Sequence, residues 1–256
     1  MPLVSTPAIV LSALRYGETS KIVRLATRDF GVQSAIAKGA YRPRSRFGAA
    51  LQVLSEGQAH LIFHERRDLH TLTAFDLAHV PLALTSHLER YAAASALAEV
   101  VFRVSPPASD ATPETFALLH EALAALEAAP PAAIGSLALR LLWRLVSVLG
   151  FAPVFEVCAR DGMAVPAGGP LAFSTADGGA LCESCVRERA DVSRLDEPDR
   201  DALLALLRQD VELPLLDARH AAAHRRLVVR YIRHHLAEGT SLPALDFWHT
   251  RPWTAA

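Results

Sequence analysis

The hydrophobic period of the chain changes at Pro81, from a spacing typical of strands to one typical of helices. Before this proline, short apolar runs alternate with polar residues and are separated by turn signals such as Asp29-Phe30-Gly31. The pattern predicts about five short strands within residues 1–80. Because closing a sheet removes its exposed edges, strands this short favour a small closed β-barrel.

After this change, apolar residues recur every three or four positions, which predicts a series of amphipathic helices. The segment 134–149 is apolar on most of its circumference, so we expect it to be the central helix of a bundle. A last long helix is predicted at about 219–236. The chain is therefore expected to have an α+β fold, in which the helical part comprises residues 81–150 and 196–240.

Residues 151–195 have little periodicity and contain all three cysteines of the chain. Cys182 and Cys185 form a Cys-x2-Cys knuckle, the spacing that directs two thiolates to one Zn²⁺. Cys158 and Asp161 have the spacing of a second knuckle, with an aspartate where a fourth cysteine is expected. Because a carboxylate can complete a zinc tetrahedron, we expect these four residues to form a structural Zn²⁺ site. The alternative is a degenerate knuckle with free thiols.

Positive charge is concentrated near the N-terminus, although the whole chain has a formal net charge of −1. Positions 15–46 hold eight basic and two acidic residues, and positions 38–48 place four cations and two aromatic rings between two predicted strands. Cations bind phosphates and flat rings stack on unpaired bases, so this composition is typical of a surface that binds nucleic acid without reading its sequence. The alternatives are a solvated basic loop and a docking site for an acidic protein.

Two sets of candidate DNA-binding residues follow from these patterns. The N-terminal candidates are the cations Lys21, Arg24, Lys38, Arg42, Arg44 and Arg46, with Tyr41 and Phe47 as stacking platforms. In the last predicted helix, arginines spaced by seven, four and three residues share one face, and Arg226 and Arg230 are the candidates there. A solvated face is the alternative for this helix.

Several enzyme classes find no support in the sequence. It contains no Walker phosphate-binding loop, no Rossmann glycine fingerprint and no Gly-x-Ser-x-Gly nucleophile elbow. No apolar run reaches the roughly 18 residues of a membrane span, and no signal-peptide pattern precedes the first predicted strand. We therefore expect a cytoplasmic protein without enzymatic activity or a membrane partner.

In order and spacing, the motifs of the chain resemble those of the bacterial recombination mediator family RecO. The matching segments are Gly17-Glu18-Thr19-Ser20, Phe30-Gly31, Ala37-Lys38-Gly39-Ala40, Leu149-Gly150-Phe151-Ala152-Pro153 and the region from Cys158 to Cys185. The resemblance covers approximately residues 5–240. It implies an N-terminal OB-fold, a helical domain and, in many members, a zinc module, from which Asp161 departs by replacing a cysteine.

The resemblance also implies a function and a set of partners. Members of the family bind single- and double-stranded DNA, anneal complementary strands and, with RecR and RecF, help RecA to load onto strands coated by single-stranded DNA-binding protein. We therefore expect an OB-fold domain at residues 1–80, a helical domain at 81–150 and 196–240, and a zinc-binding segment at 151–195. Two other functions stay open: a protein-docking scaffold with no direct role on DNA, and a zinc-dependent hydrolase acting on nucleic acid.

Overall fold

The computed structural model describes residues 2–64, 67–104, 113–251 and 253. Its first five strands are β1 (Leu3–Tyr16), β2 (Ser20–Thr27), β3 (Gly31–Ala37), β4 (Glu56–Ile62) and β5 (Leu69–His79). They form a closed barrel in the order β1-β2-β3-β5-β4, with β4 pairing back to β1. All neighbouring strands are antiparallel except β3 and β5, which pair in parallel. This barrel is OB-like, and the predicted fold class is confirmed.

The first strand closes the barrel because it pairs on both sides. β1 pairs with β4 over residues 3–9 and with β2 over residues 8–16. The register with β2 shifts between Val10 and Ser12, and an irregularity of this kind bends a strand so that a small barrel can close. The interior is filled by apolar side chains from every strand, including Val10, Val23, Leu25, Ala35, Leu61, Leu72 and Phe75.

Three helices continue from the barrel: α1 (Leu82–Thr85), α2 (Leu88–Val104) and α3 (Pro113–Ala128). The chain divides into two compact units, Met1–Ala128 and Ala129–Ala256, so these helices belong to the same unit as the barrel. Buried alanines on α2 let this helix lie close to β1 and β2. The expected boundary near residue 80 coincides with the end of β5, whereas the compact unit extends to the end of α3.

The second unit is built around α4 (Ile134–Val148), which follows a short 3-10 turn at Pro131–Ala133. Its other elements are β6 (Leu171–Ser174), β7 (Gly179–Ala180), α5 (Glu183–Arg187), β8 (Ser193–Leu195), α6 (Glu197–Leu207), α7 (Ala218–His235) and α8 (Pro243–Thr250). The predicted central position of α4 is confirmed, because this helix packs against both α6 and α7 and its Trp143 is fully buried.

The stretch Pro131–Val148 is long and apolar enough to cross a membrane by length and composition alone. In the structure this stretch contains α4, whose Leu139, Leu142 and Trp143 have no solvent exposure within the second unit. It therefore has the surroundings of a core helix. Arg140, on the same helix, donates to the carbonyl oxygens of Ala205 and Glu212.

The helix predicted at about 219–236 is not the last one, because α8 follows it and was not predicted from the sequence. Pro243 is the first residue of this helix, a position where its fixed φ favours helix formation and its missing N–H costs nothing. Leu245 and Trp248 of α8 are fully buried, so burial of these side chains holds the helix in place.

Candidate nucleic-acid interface and metal centre

The loop that joins β3 to β4, residues 38–55, consists of consecutive tight turns at one end of the barrel. The backbone N–H groups of Arg42, Ser45 and Gly48 each donate to the carbonyl three residues before them. The backbone N–H of Tyr41 donates to the carbonyl of Thr19 in the β1–β2 turn, at 2.9 Å. These bonds give the loop a defined backbone without helix or strand, so its side chains project from fixed positions.

Phe47 anchors this loop and is not the stacking platform that the sequence predicts. Its side chain is 2% exposed and lies in the barrel core with Ala40, Ala50 and Leu51. Burial of a phenylalanine side chain contributes about 1.5–3 kcal/mol, which favours the ring inside over the ring in water. The interpretation of Phe47 as a base-stacking residue is therefore wrong.

The charged side chains of the loop face solvent. Lys38, Arg42, Arg44 and Arg46 are all exposed. Within the described residues, the ion pairs include none between these four cations and a carboxylate. Cations that are not neutralised locally create a positive potential, and such a potential attracts polyanions. The structure thus places these four candidates on one loop, with their charge available to a ligand.

Tyr41 connects the loop to the ends of β1 and β2. Its ring is 48% exposed, and its centroid lies 5.1 Å from the ammonium of Lys21 and 5.6 Å from the guanidinium of Arg15. Lys21 also donates to the carbonyl oxygen of Leu51 at 3.3 Å. Tyr41 and Lys21 are therefore brought together with the loop cations, and Tyr41 is the aromatic ring available for stacking.

Arg15 is a residue of this cluster that the sequence analysis does not select. It lies opposite Lys21 in the register of β1 with β2. The sequence contained a signal for Arg15: a three-residue turn at 17–19 joins two strands, and residues at equal distances on either side of such a turn lie side by side. We refer to Arg15, Lys21 and the loop residues Lys38, Tyr41, Arg42, Arg44 and Arg46 as the basic end of the barrel.

Arg24 does not belong to this cluster. Successive side chains of a strand point to opposite faces, and Arg24 is three positions after Lys21 on β2. Its guanidinium lies 5.4 Å from the centroid of the Phe102 ring on α2. The structure therefore places Arg24 on the outer wall of the barrel against a helix, away from the face that carries Lys21.

The two candidates on α7 are exposed but differ in their surroundings. Arg230 donates to the hydroxyl oxygens of Thr175 and Ser193, and its guanidinium lies 3.9 Å from a carboxylate oxygen of Asp191. These contacts hold Arg230 against the segment that contains the cysteines. Arg226 lies on the same helix and forms no ion pair with a carboxylate of the described residues, so it is the better placed of the two for a ligand.

The four predicted metal ligands converge in the second unit. The ligand atoms of Cys158, Asp161, Cys182 and Cys185 all lie within 4.8 Å of one another. The Sγ atoms of Cys182 and Cys185 are 3.3 Å and 3.1 Å from Oδ2 of Asp161. All three cysteines are buried and none forms a disulfide. The predicted grouping of these residues is thus observed.

Local backbone structure explains this convergence. The N–H of Cys158 donates to the carbonyl of Met163, and the N–H of Gly162 donates back to the carbonyl of Cys158, which forms a tight turn. Gly162 has a φ of +74°, a conformation that glycine adopts without strain. Cys182 precedes α5, and the first turn of that helix carries Cys185 back beside it. The tight turn and the start of α5 therefore each present two candidate metal ligands.

Hydrogen bonds to the Asp161 carboxylate shift the pKa values of two groups in the cluster. The backbone N–H of Met163 and the thiols of Cys158 and Cys185 hold the pKa of Asp161 well below its usual range. The same carboxylate raises the pKa of the Cys185 thiol, because it accepts a hydrogen bond that only the protonated thiol can donate. An entering cation would reverse this relation, since metal binding to thiols releases their protons.

The donor set fits a zinc ion. With bond lengths of about 2.3 Å to sulfur and 2.0 Å to oxygen, a tetrahedral site separates sulfur from oxygen by about 3.5 Å. The observed separations of 3.1 Å and 3.3 Å between thiols and carboxylate are close to this value. Leu181 packs against the cysteines, and Val165 and Val186 lie around them, so the cluster is shielded by apolar side chains. These four residues could therefore hold a metal ion.

Comparison with known proteins gives a consistent result over most of the chain. Residues 1–81 match the family model described as recombination protein O N terminal, and residues 85–243 match the one described as recombination protein O C terminal. The chain is 34% identical over 236 residues to the DNA repair protein RecO of Rubrobacter xylanophilus, which covers 92% of each chain. The chain is 35% identical to the DNA repair protein RecO of Nocardioides sp., and the match covers 91% of this chain and 94% of the relative. It is 34% identical to the DNA repair protein RecO of Anaeromyxobacter dehalogenans, and the match covers 96% of both chains.

Proposed function

Because the chain belongs to the RecO family of DNA repair proteins, we propose that it is a recombination mediator without catalytic activity, which binds single- and double-stranded DNA and anneals complementary strands. The family resemblance indicated by the sequence motifs is confirmed. The proposal extends to loading of RecA onto strands coated with single-stranded DNA-binding protein, in cooperation with RecR and indirectly RecF. We place this activity in the cytoplasm, in association with the nucleoid.

The observation that carries the proposal is the basic end of the barrel. Four cations project from one loop whose backbone is fixed by turns, and two more flank it on β1 and β2. DNA-binding cations release condensed counterions from the phosphates that they contact, which supplies affinity for any base sequence. Annealing requires this independence of sequence, because both strands must be bound whatever their bases.

Tyr41 adds a contact that phosphate binding alone does not give. Its half-exposed ring is flanked by two cations, so a base that stacks on it has its phosphate close to positive charge. Stacking on an aromatic ring is available to every base and requires an unpaired one. We therefore assign Tyr41 to single strands and the cations to both single and double strands.

The metal centre has a structural role in this proposal. Cys158, Asp161, Cys182 and Cys185 would hold the Zn²⁺, which would cross-link the turn at Cys158 to the start of α5. The four donors come from protein, which leaves a tetrahedral ion without an open position for a substrate. This arrangement favours the mediator over a zinc-dependent hydrolase.

The experiment that tests the proposal reverses the charge of the loop. The variant carrying Arg42→Glu, Arg44→Glu and Arg46→Glu should lose oligonucleotide binding and strand annealing, with a far-UV circular dichroism spectrum equal to that of the wild type. Binding is measured by fluorescence anisotropy across a salt series, without any partner protein, because counterion release makes affinity fall steeply with salt.

Arg28→Glu is the control. Arg28 is exposed in the β2–β3 turn, at the far end of β2 from Lys21, and pairs with Asp29 at 2.9 Å. We expect this variant to bind and anneal nearly as the wild type does. Unchanged affinity in the triple variant would refute the proposed interface. Failure of the wild-type protein to bind any oligonucleotide alone would favour a protein-docking scaffold.

A further inference from the structure

Helix α8 of the second unit carries an exposed aromatic ring beside an arginine. Phe247 is 37% exposed, and the guanidinium of Arg251 lies 4.9 Å from the centroid of its ring. The contact is of the same kind as those of Tyr41 with Lys21 and Arg15 in the first unit. The match to the C-terminal family model ends at residue 243, so this pair lies outside the part of the chain that the family model describes.

The geometry of the helix directs the Phe247 ring outward. Successive residues of an α-helix are rotated by about 100°, so Leu245 and Trp248 share one side of α8 and Phe247 lies on the other. The first two side chains are fully buried. The indole N–H of Trp253 donates to the carbonyl of Trp248 at 2.8 Å, and the Trp253 ring meets that of Phe247 edge to face, with centroids 6.1 Å apart. The exposed ring is therefore held in one orientation.

Arginines of α7 lie next to this helix. Arg233 forms an ion pair with Asp246, the residue before Phe247. Burial lowers the pKa of His249 on α8, and the charges of Arg226 and Arg233 lower it further, although Asp246 raises it. Both arginines therefore lie close to α8. Arg226 is exposed and forms no ion pair with a carboxylate of the described residues, so positive charge exceeds negative charge here.

We refer to Phe247, Arg251, Arg226 and Arg233 as the α8 surface. Its composition fits an unpaired nucleic-acid strand, because a flat exposed ring stacks on any base and arginines bind the phosphates beside it. Positions 219–256 hold six arginines and two carboxylates, so the surrounding chain also attracts a polyanion. An acidic protein segment would use the same charge but would not require a stacking ring, and the ring therefore favours the strand.

We propose that the α8 surface binds a second single strand while the basic end of the barrel holds the first. This inference rests on the proposed annealing function, which brings two strands to one protein. The α8 surface has three cations, one of them paired with Asp246, against six at the basic end, so it binds a strand more weakly. Weak binding suits the second strand, because that strand must leave the protein surface to pair with its complement.

Strand stoichiometry tests the proposal on the full-length protein. An oligonucleotide of about 12 nucleotides without self-complementarity is titrated by calorimetry at about 50 mM salt, where phosphate contacts are strong. The wild type should bind two strands per chain, one tightly and one weakly. Phe247→Ala should weaken the second strand by about 5–150-fold, because it removes one stacking surface. Arg251→Glu should also weaken the second strand, and Phe247→Tyr, which keeps a ring, should bind both.

Arg208→Glu is the matched control for Arg251→Glu. Arg208 is an exposed arginine of the same unit, but it pairs with Asp210 at 2.6 Å, so this variant should bind both strands. Phe247→Ala and Arg251→Glu should anneal complementary strands more slowly than Arg208→Glu does, although all three bind the first strand as the wild type does. Unchanged affinity for the first strand and an unchanged circular dichroism spectrum show that each variant is folded.

Two results would overturn the inference. One is a single strand per chain in the wild type, and the other is binding of two strands with unchanged affinity in both Phe247→Ala and Arg251→Glu. Neither result would affect the proposed function, which requires only that the basic end of the barrel binds DNA. A wild-type protein that binds no strand at all would refute the proposed function and this inference together.

Discussion

The ammonium of Lys21 lies 5.1 Å from the centroid of the Tyr41 ring, at the end of the barrel covered by the β3–β4 loop. The strand that carries Lys21 and the loop that carries Tyr41 are thereby linked, and the ring is held beside positive charge while 48% of it stays exposed. A cation over an exposed ring contributes about 0.5–1 kcal/mol, so the contact orients Tyr41 without contributing much to the stability of the barrel.

Replacing the Tyr41 ring should affect single strands selectively. Tyr41→Ala is expected to lower the affinity for a single-stranded oligonucleotide by about 1–3 kcal/mol, because it removes one stacking surface. Tyr41→Phe retains the ring and should bind nearly as the wild type does. Anisotropy titrations with matched single- and double-stranded oligonucleotides measure the effect. An equal loss on both substrates would show that the ring contributes something other than stacking.

Arg44 and Arg24 should differ in their contribution to salt dependence. Arg44 is exposed on the loop, so Arg44→Ala should reduce the slope of log affinity against log salt by about 0.7–0.9. Arg24→Ala should leave that slope unchanged, because Arg24 packs over Phe102 on the outer wall. Titrations at four salt concentrations distinguish the two. A reduced slope for Arg24→Ala would place the outer wall in the interface.

Phe47→Ala should destabilise the barrel, since it empties a space in the core beneath the loop. The expected loss in the free energy of unfolding is about 3–5 kcal/mol. Tyr41→Ala on the same loop should cost less than about 1 kcal/mol, because that ring is half exposed. Urea denaturation followed by circular dichroism compares the two variants. A small loss for Phe47→Ala would contradict its role as the anchor of the loop.

Asp161→Cys should strengthen zinc binding at the cysteine cluster. A fourth thiolate replaces a weaker oxygen donor, so we expect the affinity to rise more than about tenfold, or about 1.4 kcal/mol. Competition with a chromogenic chelator measures the affinity, and the thiolate-to-cobalt absorption should increase with the added thiolate. Asp161→Ala is the opposite control and should weaken binding. Equal affinity in all three proteins would exclude Asp161 as a ligand.

His70 should make the barrel less stable in mild acid. It is 6% exposed, its Nδ1 accepts the N–H of His64 at 3.2 Å, and its Nε2 pairs with Oε1 of Gln33 at 2.9 Å, an arrangement for the neutral ring. Burial lowers the pKa of His70 from its ordinary 6.5. The unfolded chain therefore binds the proton more readily, and the contribution of His70 to stability is full above about pH 6.5 and falls as the pH drops below that value.

The measurement is urea denaturation at about pH 7.5 and about pH 5.5, on either side of the ordinary histidine pKa. His70→Gln should show a smaller loss of stability between these two values than the wild type. His60→Gln is the control, because His60 lies on the barrel surface and pairs with the exposed Asp76. An unchanged pH dependence in His70→Gln would show that other groups govern it.

The sequence predicted most of what depends on local patterns. Alternating apolar residues indicated the barrel strands, and cysteine spacing predicted a group of four residues, including Asp161, whose ligand atoms lie within 4.8 Å of one another in the structure. Such features are encoded by residues that are close along the chain, so period and spacing are sufficient to find them.

Features that depend on tertiary contacts were not accessible in the same way. Tyr41 and Phe47 are six residues apart in one loop, and both are aromatic residues among arginines. The Phe47 ring nevertheless fills the core, whereas the Tyr41 ring faces solvent. Arg24 resembles Lys21 in sequence, but the strand turns it toward α2. Which side of a loop or strand meets another element is decided by packing, and one sequence does not specify that packing by its periodicity.

The parallel pairing of residues 34–36 with 69–71 has a consequence for synthesis of the protein. β4 covers the outer edge of β1, and only β5 covers the outer edge of β3, so the β3 edge stays uncovered until the start of β5 has left the ribosome. Uncovered edges associate readily with other chains. We expect nascent chains that stall before this point to recruit holding chaperones and to aggregate without them, whereas chains a little longer fold cooperatively.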